Sequence, residues 1–338
     1  MRFFWNSGVL LAIGMAFLFS LDSALTARVS KTVPLFEYAV ASGIIKWAAT
    51  LVINAISKES LCGRKQDLRL VMLPGVLYGS FLICLYGSLG LIPLVDSVGL
   101  FYMNPVVCAI LGRIFFKDPF GPPSILGLAL VVAGVLLLNG SSFLFQLGDV
   151  VWDARKIVGV TLGVCSALGA GVAFTVIRGL RNSVSPGVIS TWAFTFQTLL
   201  AIPPMLLGFP GRAVIIDDPA TIAFTLIAAL SSCFGGFFAC RACQLIPAGL
   251  STSIETTLLI WGLLWSFLFF DHAITWQDIL GVVFIIVGAF SVGMDGPMKS
   301  FLMDWFSSIN PWASKQKPAK EKFTEAADEG EPLLAETL

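Results

Sequence analysis

The sequence predicts an all-α integral membrane protein of ten transmembrane helices, arranged as two inverted five-helix repeats. Three observations lead there. Of 338 residues, 57% are hydrophobic and 12% charged, about half the charged share of a soluble domain, and the mean hydropathy is +0.87. Ten apolar runs follow one another, each near the ~20 residues that cross a bilayer. The triplet Leu91-Ile92-Pro93 returns as Leu245-Ile246-Pro247, in an ungapped frame that extends well beyond it.

The runs fall near 4–27, 34–56, 70–91, 94–116, 123–141, 157–178, 186–208, 220–243, 248–270 and 276–294. Prolines punctuate most boundaries, among them Pro34, Pro93, Pro119, Pro186, Pro219 and Pro247. The stretches 70–116 and 220–270 are too long for one span, and each breaks at its Leu-Ile-Pro. Proline lacks the N–H donor and presets the entry of the following helix, which suits a tight turn there. The first run has Arg2 and an apolar core like a signal peptide, but it is longer than a typical signal core and shows no clear cleavage site. The spans therefore divide into a first repeat over 1–145 and a second over 155–296. Residues 297–338 form an interfacial segment and a polar tail of disordered composition.

Basic residues set the orientation. With a cytosolic N-terminus, fifteen lysines and arginines fall inside and five outside, which places both termini in the cytosol. The tail carries Glu329-x-x-x-Leu333-Leu334, the pattern of an acidic dileucine sorting signal. The membrane itself, plasma or internal, is left open. The 21 basic and 21 acidic side chains cancel, so net charge points to no nucleic-acid partner.

Sliding the sequence by 154 residues pairs Ser97 with Ser251, Phe115-Phe116 with Phe269-Phe270, Ile125-Leu126-Gly127 with Ile279-Leu280-Gly281, and Gly134 with Gly288. At 155, Gly8, Ala12, Gly14 and Phe19 meet Gly163, Ala167, Gly169 and Phe174. Five spans is an odd number, so the second copy enters the membrane from the opposite side. The loops agree: "KDPFGPP", with Arg113 before it, is basic, and its counterpart "DHAITWQD" is acidic. An inverted repeat is the architecture of alternating-access transporters, with the substrate site near the midplane between halves.

The segments "MNPVVCAILGRIFF" and "ILGLALVVAGVLLL" resemble the EamA-type drug/metabolite transporter superfamily. Within it, "AFLFSLDSALTARVS", "ACQLIPAG" and "FFDHAITWQDILGVVFIIVG" are most similar to the G branch of the eukaryotic solute-carrier family that includes nucleotide-sugar transporters. The resemblance covers about residues 4–294. It implies a central cavity lined by spans 1–4 and 6–9, with spans 5 and 10 outside and available for homodimer contacts. Members commonly carry Glu after the fourth span, where this chain has Lys117-Asp118.

An ionisable residue at a helix centre costs about 2.5–3.5 kcal/mol on insertion scales. Lys46 is one, in mid span 2, a cationic hook for an anionic substrate or the partner of a structural carboxylate. Gln197 sits at the centre of span 7, the pseudo-symmetric partner of span 2. Asp22 and Glu255 lie within spans 1 and 9. A carboxylate in low dielectric can exchange a proton near neutrality, so both are candidates for proton coupling and Glu255 also for substrate binding. Arg241 lies near the inner end of span 8, as a second anion ligand or a snorkelling side chain. Arg178, closer to its helix end, is expected to be a topology anchor. Tyr78, Tyr86, Tyr102 and Asn104 lie in spans 3 and 4, the expected cavity walls, to orient a solute or to make helix-packing hydrogen bonds, and Tyr102-Met103-Asn104 aligns with Thr256-Thr257-Leu258.

These features predict a secondary transporter for a polar organic metabolite, leaning towards an organic anion. Alternatives are an exporter of amino acids or drug-like solutes and a non-transporting scaffold. No GxxxxGK[ST] phosphate loop is present, and no clustered His/Asp/Glu or Ser/His set supports an enzyme. The single histidine, His272, and the isolated pair Cys240-x-x-Cys243 predict no metal site and no cofactor. The expected partners are a small solute and the lipid bilayer.

Overall fold

The computed structural model describes residues 7–61, 68–92, 97, 100–118, 121–138, 153–180, 183–209, 211–212, 214, 217–270 and 276–294. The sorting motif, the tail and His272 lie outside them. The described residues form eleven α-helices. They are α1 Gly8–Val29, α2 Leu35–Ser57, α3 Leu68–Leu91, α4 Asn104–Phe116, α5 Pro122–Leu138, α6 Ala154–Leu180, α7 Pro186–Leu206, α8 Pro219–Leu245, α9 Ala248–Glu255, α10 Leu258–Phe270 and α11 Trp276–Met294. Five of them, α1, α2, α3, α6 and α8, are long and apolar enough to cross a membrane.

Local chemistry fixes several boundaries. Ser7 caps α1 through Leu10 N, and Ser185 caps α7 through Val188 N, with Pro186 in the first turn. Asp218 caps α8. Its carboxylate accepts from Thr221 N at 2.9 Å and Thr221 Oγ1 at 2.6 Å. Those bonds favour the charged form and hold this exposed carboxyl below the ordinary aspartate range. Lys58 and Lys117 end α2 and α4 in the left-handed conformation, each with φ 55°.

The structure departs from ten continuous spans at two places. The apolar runs 94–116 and 248–270 are interrupted at Tyr102-Met103 and at Thr256-Thr257. The interruptions are 154 residues apart, the same offset that aligns the Leu-Ile-Pro triplets. The causes differ. Pro105 has no N–H to continue the ladder at the start of α4. At the second break, Thr256 Oγ1 donates to Ser253 O at 2.6 Å and Thr257 Oγ1 to Ile254 O at 2.7 Å. Such hydroxyl back-bonding competes for helix carbonyls and bends the chain.

Packing repeats in pairs. α1 lies on α8 and α3 on α6, α2 on α7, and α5 on α11. A methyl added at Gly8 would collide with Leu245 and Ile246, and one at Gly159 with Leu91 and Ile92. The first helix of each half thus rests on the Leu-Ile of the other. Gly127 faces the carbonyl of Gly288, and Gly134 that of Gly281. Small residues let such backbones approach closely, the main route to tight helix pairs in lipid.

Candidate functional site

Lys46 is eleven residues from each end of α2, or about 16 Å at 1.5 Å per residue. That is too far for the ammonium to reach water by snorkelling. Instead it is buried, 2% exposed, against α7. Nζ donates to Gln197 Oε1 at 3.5 Å. The Gln197 amide donates in turn to Ala39 O at 3.2 Å, so its two ends bridge two points of α2. Nζ also lies 5.5 Å from the centroid of the Phe194 ring, a cation–π distance. The Cys233 thiol of α8 approaches the Lys46 backbone carbonyl at 3.9 Å. An ammonium has three donors. Among the described residues one long bond occupies them.

Asp22 of α1 is the carboxylate that acts electrostatically on Lys46. It is also tied locally. Tyr38 Oη donates to Asp22 Oδ1 at 2.9 Å, and Thr26 Oγ1 lies 3.3 Å from the same oxygen. Asp22 therefore joins α1 to α2 through Tyr38.

Glu255 ends α9 and is 4% exposed, and its Oε2 has no hydrogen-bond partner among the described residues. Asn104 begins α4, 1% exposed, with neither polar side-chain atom bonded among the described residues. Tyr102 is within electrostatic range of Glu255, and so is Tyr78. Tyr78 also packs its ring 4.7 Å from Phe81 and 6.4 Å from Phe194. Phe194 thereby connects the Lys46 region to the tyrosines. Its aromatic role is absent from the sequence reading because a Phe in an apolar span carries no signal of its own.

The structure brings Lys46 and Gln197 together. Arg241 is half-buried in the last turns of α8, eight residues or about 12 Å along the helix from Cys233.

Arg178, expected as a topology anchor near its helix end, is buried. It is 5% exposed and pairs with Asp118 at 3.0 Å, with its guanidinium 5.8 Å from the Phe116 centroid. It therefore clamps the end of α4 to α6. A second unforeseen bond joins α2 to α7: Asn54 Nδ2 donates to Thr191 Oγ1 at 2.8 Å, with both side chains buried. The signal for it was available, a polar residue in each of two spans expected to face each other.

The sequence profile described as the EamA-like transporter family matches this chain twice, over residues 6–140 and 157–294. The chain is 26% identical over 288 residues to the pseudopaline exporter CntI of Pseudomonas aeruginosa, covering 85% of this chain and 96% of that protein. It is 23% identical over 287 residues to solute carrier family 35 member G1 of Mus musculus, covering 83% and 76%. A crystal structure 14% identical in sequence superposes with a TM-score of 0.72 over 85% of this chain and 96% of the other. That likeness shows the fold.

Proposed function

This chain belongs to the EamA-like transporter family, and from that premise we propose that it is a secondary carrier that binds an anionic group of a polar organic solute between α2 and α7. As a member it is a multi-pass membrane protein that handles a small solute within a lipid bilayer. The observation that carries the proposal is Lys46: a buried ammonium whose one hydrogen-bond acceptor among the described residues is the neutral Gln197 Oε1 at 3.5 Å. A carboxylate or phosphate oxygen there gains a charge-assisted bond and meets the remaining donors. Gln197 adds a neutral polar group beside it.

The transport cycle we infer is alternating access between two inverted five-helix repeats, residues 1–145 and 155–296. The double profile match, the paired helix breaks and the reciprocal Gly127–Gly288 and Gly134–Gly281 contacts support this reading. Rocking one half against the other exposes the α2–α7 interface to each side in turn. Both termini lie in the cytosol, on the distribution of basic residues. Lateral faces of α5 and α11 are the candidate homodimer surface. One relative is named an exporter and another a solute carrier, and both names fit movement of a small solute.

The test is counterflow in proteoliposomes loaded with labelled carboxylates and organic phosphates. Saturable exchange by the wild type, lost in Lys46→Gln and retained in Lys58→Gln at the exposed end of α2, is the expected result. Equal exchange by Lys46→Gln and the wild type would remove the ammonium from the site.

A further inference from the structure

α3 and α6 pack together, and their glycines give the register. A Cβ added at Gly159 would strike Leu91 and Ile92, and one at Gly163 would come 3.1 Å from Ser88 Oγ. One at Gly169 would lie 2.9 Å from Phe81 Cβ. From the other helix, a Cβ at Gly87 would lie 3.0 Å from Leu162 Cδ1. Residue numbers fall along α3 as they rise along α6, so the helices run antiparallel.

Two cysteines form a rung between these contacts. Cys84 is three residues from Phe81 and three from Gly87, while Cys165 is four residues from Gly169 and three from Leu162. Residues three and four apart share a helix face, so both thiols belong to the faces that meet. Their depths agree. Cys84 is seven residues from Leu91, about 10 Å along α3, and Cys165 is six residues from Gly159, about 9 Å along α6. Cys165 also acts electrostatically on Cys84.

This approach suits a covalent bond. A disulfide needs Cβ atoms about 3.5–4.5 Å apart. On the neighbouring rung, Phe81 and Gly169 stand closer than that once Gly169 is given a Cβ. Both cysteines are free thiols, Cys84 half-buried and Cys165 exposed, whereas Cys108, Cys233, Cys240 and Cys243 are buried. Oxidation follows exposure.

We propose that Cys84 and Cys165 are an oxidation site that closes to a disulfide under hydrogen peroxide. The Cys165 thiol gives up its proton and its sulfur attacks one peroxide oxygen. The O–O bond breaks, leaving a sulfenic acid on Cys165 and one water. The Cys84 sulfur then attacks the sulfenic sulfur, its proton leaving with the hydroxyl as a second water. Two thiols and one peroxide become one disulfide and two waters, and the peroxide gains two electrons. A thiol reductant reverses the bond. Closure fixes α3 of the first half on α6 of the second. On the carrier reading, it stops a cycle in which one half rocks against the other.

The test treats full-length purified protein with hydrogen peroxide, caps the remaining thiols with N-ethylmaleimide and maps the digest by mass spectrometry. A linked pair of peptides carrying Cys84 and Cys165, lost after dithiothreitol, is expected. Sulfinic or sulfonic acid at Cys165 without that pair, or linkage of either cysteine to a different one, would overturn the site. This readout needs no variant. In proteoliposomes, counterflow of labelled carboxylates and organic phosphates should fall in proportion to the linked fraction and return with dithiothreitol. Cys165→Ser should keep its rate under peroxide, and Cys84→Ser serves if that variant does not fold. Full exchange by linked protein would overturn the block on rocking. No exchange before oxidation would count against the carrier reading, and the oxidation site is still decided by the linked peptides.

Discussion

Gly288→Ala tests the packing that joins the two halves. An added Cβ would sit 2.6 Å from the Gly127 carbonyl oxygen and 2.8 Å from the Val131 backbone nitrogen. Optimal contacts lie near ~3.5 Å, so α5 and α11 must part by roughly 0.7–0.9 Å. A gap of that size forfeits a quarter to a half of the dispersion energy at the neighbouring contacts. Both obstacles are backbone, which places the overpacking cost at the upper end, about 3 kcal/mol. Alanine's better helix propensity returns about 1 kcal/mol. The net loss is about 2 kcal/mol, or roughly 4–8 °C in Tm on the scale of domains of 150–250 residues. The assay is thermal unfolding of purified protein in detergent, with Gly262→Ala as control. A Cβ at Gly262 meets nothing within 4 Å, so that variant should match or exceed the wild type. If Gly288→Ala is as stable as Gly262→Ala, the close crossing of α5 and α11 is wrong.

Three further outcomes follow from named bonds. In a double-mutant cycle, Asn54→Ala and Thr191→Val should couple by about 0.6–1.7 kcal/mol, the range for hydrogen bonds between membrane helices. Arg178→Gln alone should destabilise by up to about 3 kcal/mol, because Asp118 is left half-enclosed and unpaired, and the further change Asp118→Asn should recover part of the loss in Tm. For Asp218, the folded carboxyl titrates lower than the ordinary 3.8, so its stabilisation is present above that value and disappears as pH falls through the lower folded one. The Tm gap between wild type and Asp218→Ala should therefore be constant near neutrality and close in acid.

Much of the frame was legible because apolar runs, prolines and glycines carry their meaning locally. The repeat related span 2, which carries Lys46, to span 7, which carries Gln197, before any coordinates. The breaks at Tyr102-Met103 and Thr256-Thr257 were harder. Both sit inside unbroken apolar runs, and the second arises from threonine hydroxyls turning back on their own helix, a choice that composition does not reveal. Arg178 illustrates a different limit. Its position near a helix end suggested water, yet Asp118 from a distant loop buries it as an ion pair. The bond from Tyr38 to Asp22 requires knowing how α1 and α2 meet. Asn104 and Glu255 were visible as polar residues, but their lack of partners is a property of the assembled core.

The central claim is that the surface beside Lys46 is reached from both sides of the membrane by turns. Cys233 is a native reporter, fully buried, with its sulfur 3.9 Å from the Lys46 carbonyl. With the other six cysteines replaced by serine, an impermeant thiol reagent is applied to one face or the other of oriented proteoliposomes. Alternating access predicts modification of Cys233 from either face. Modification from one face only, or from neither, would contradict it.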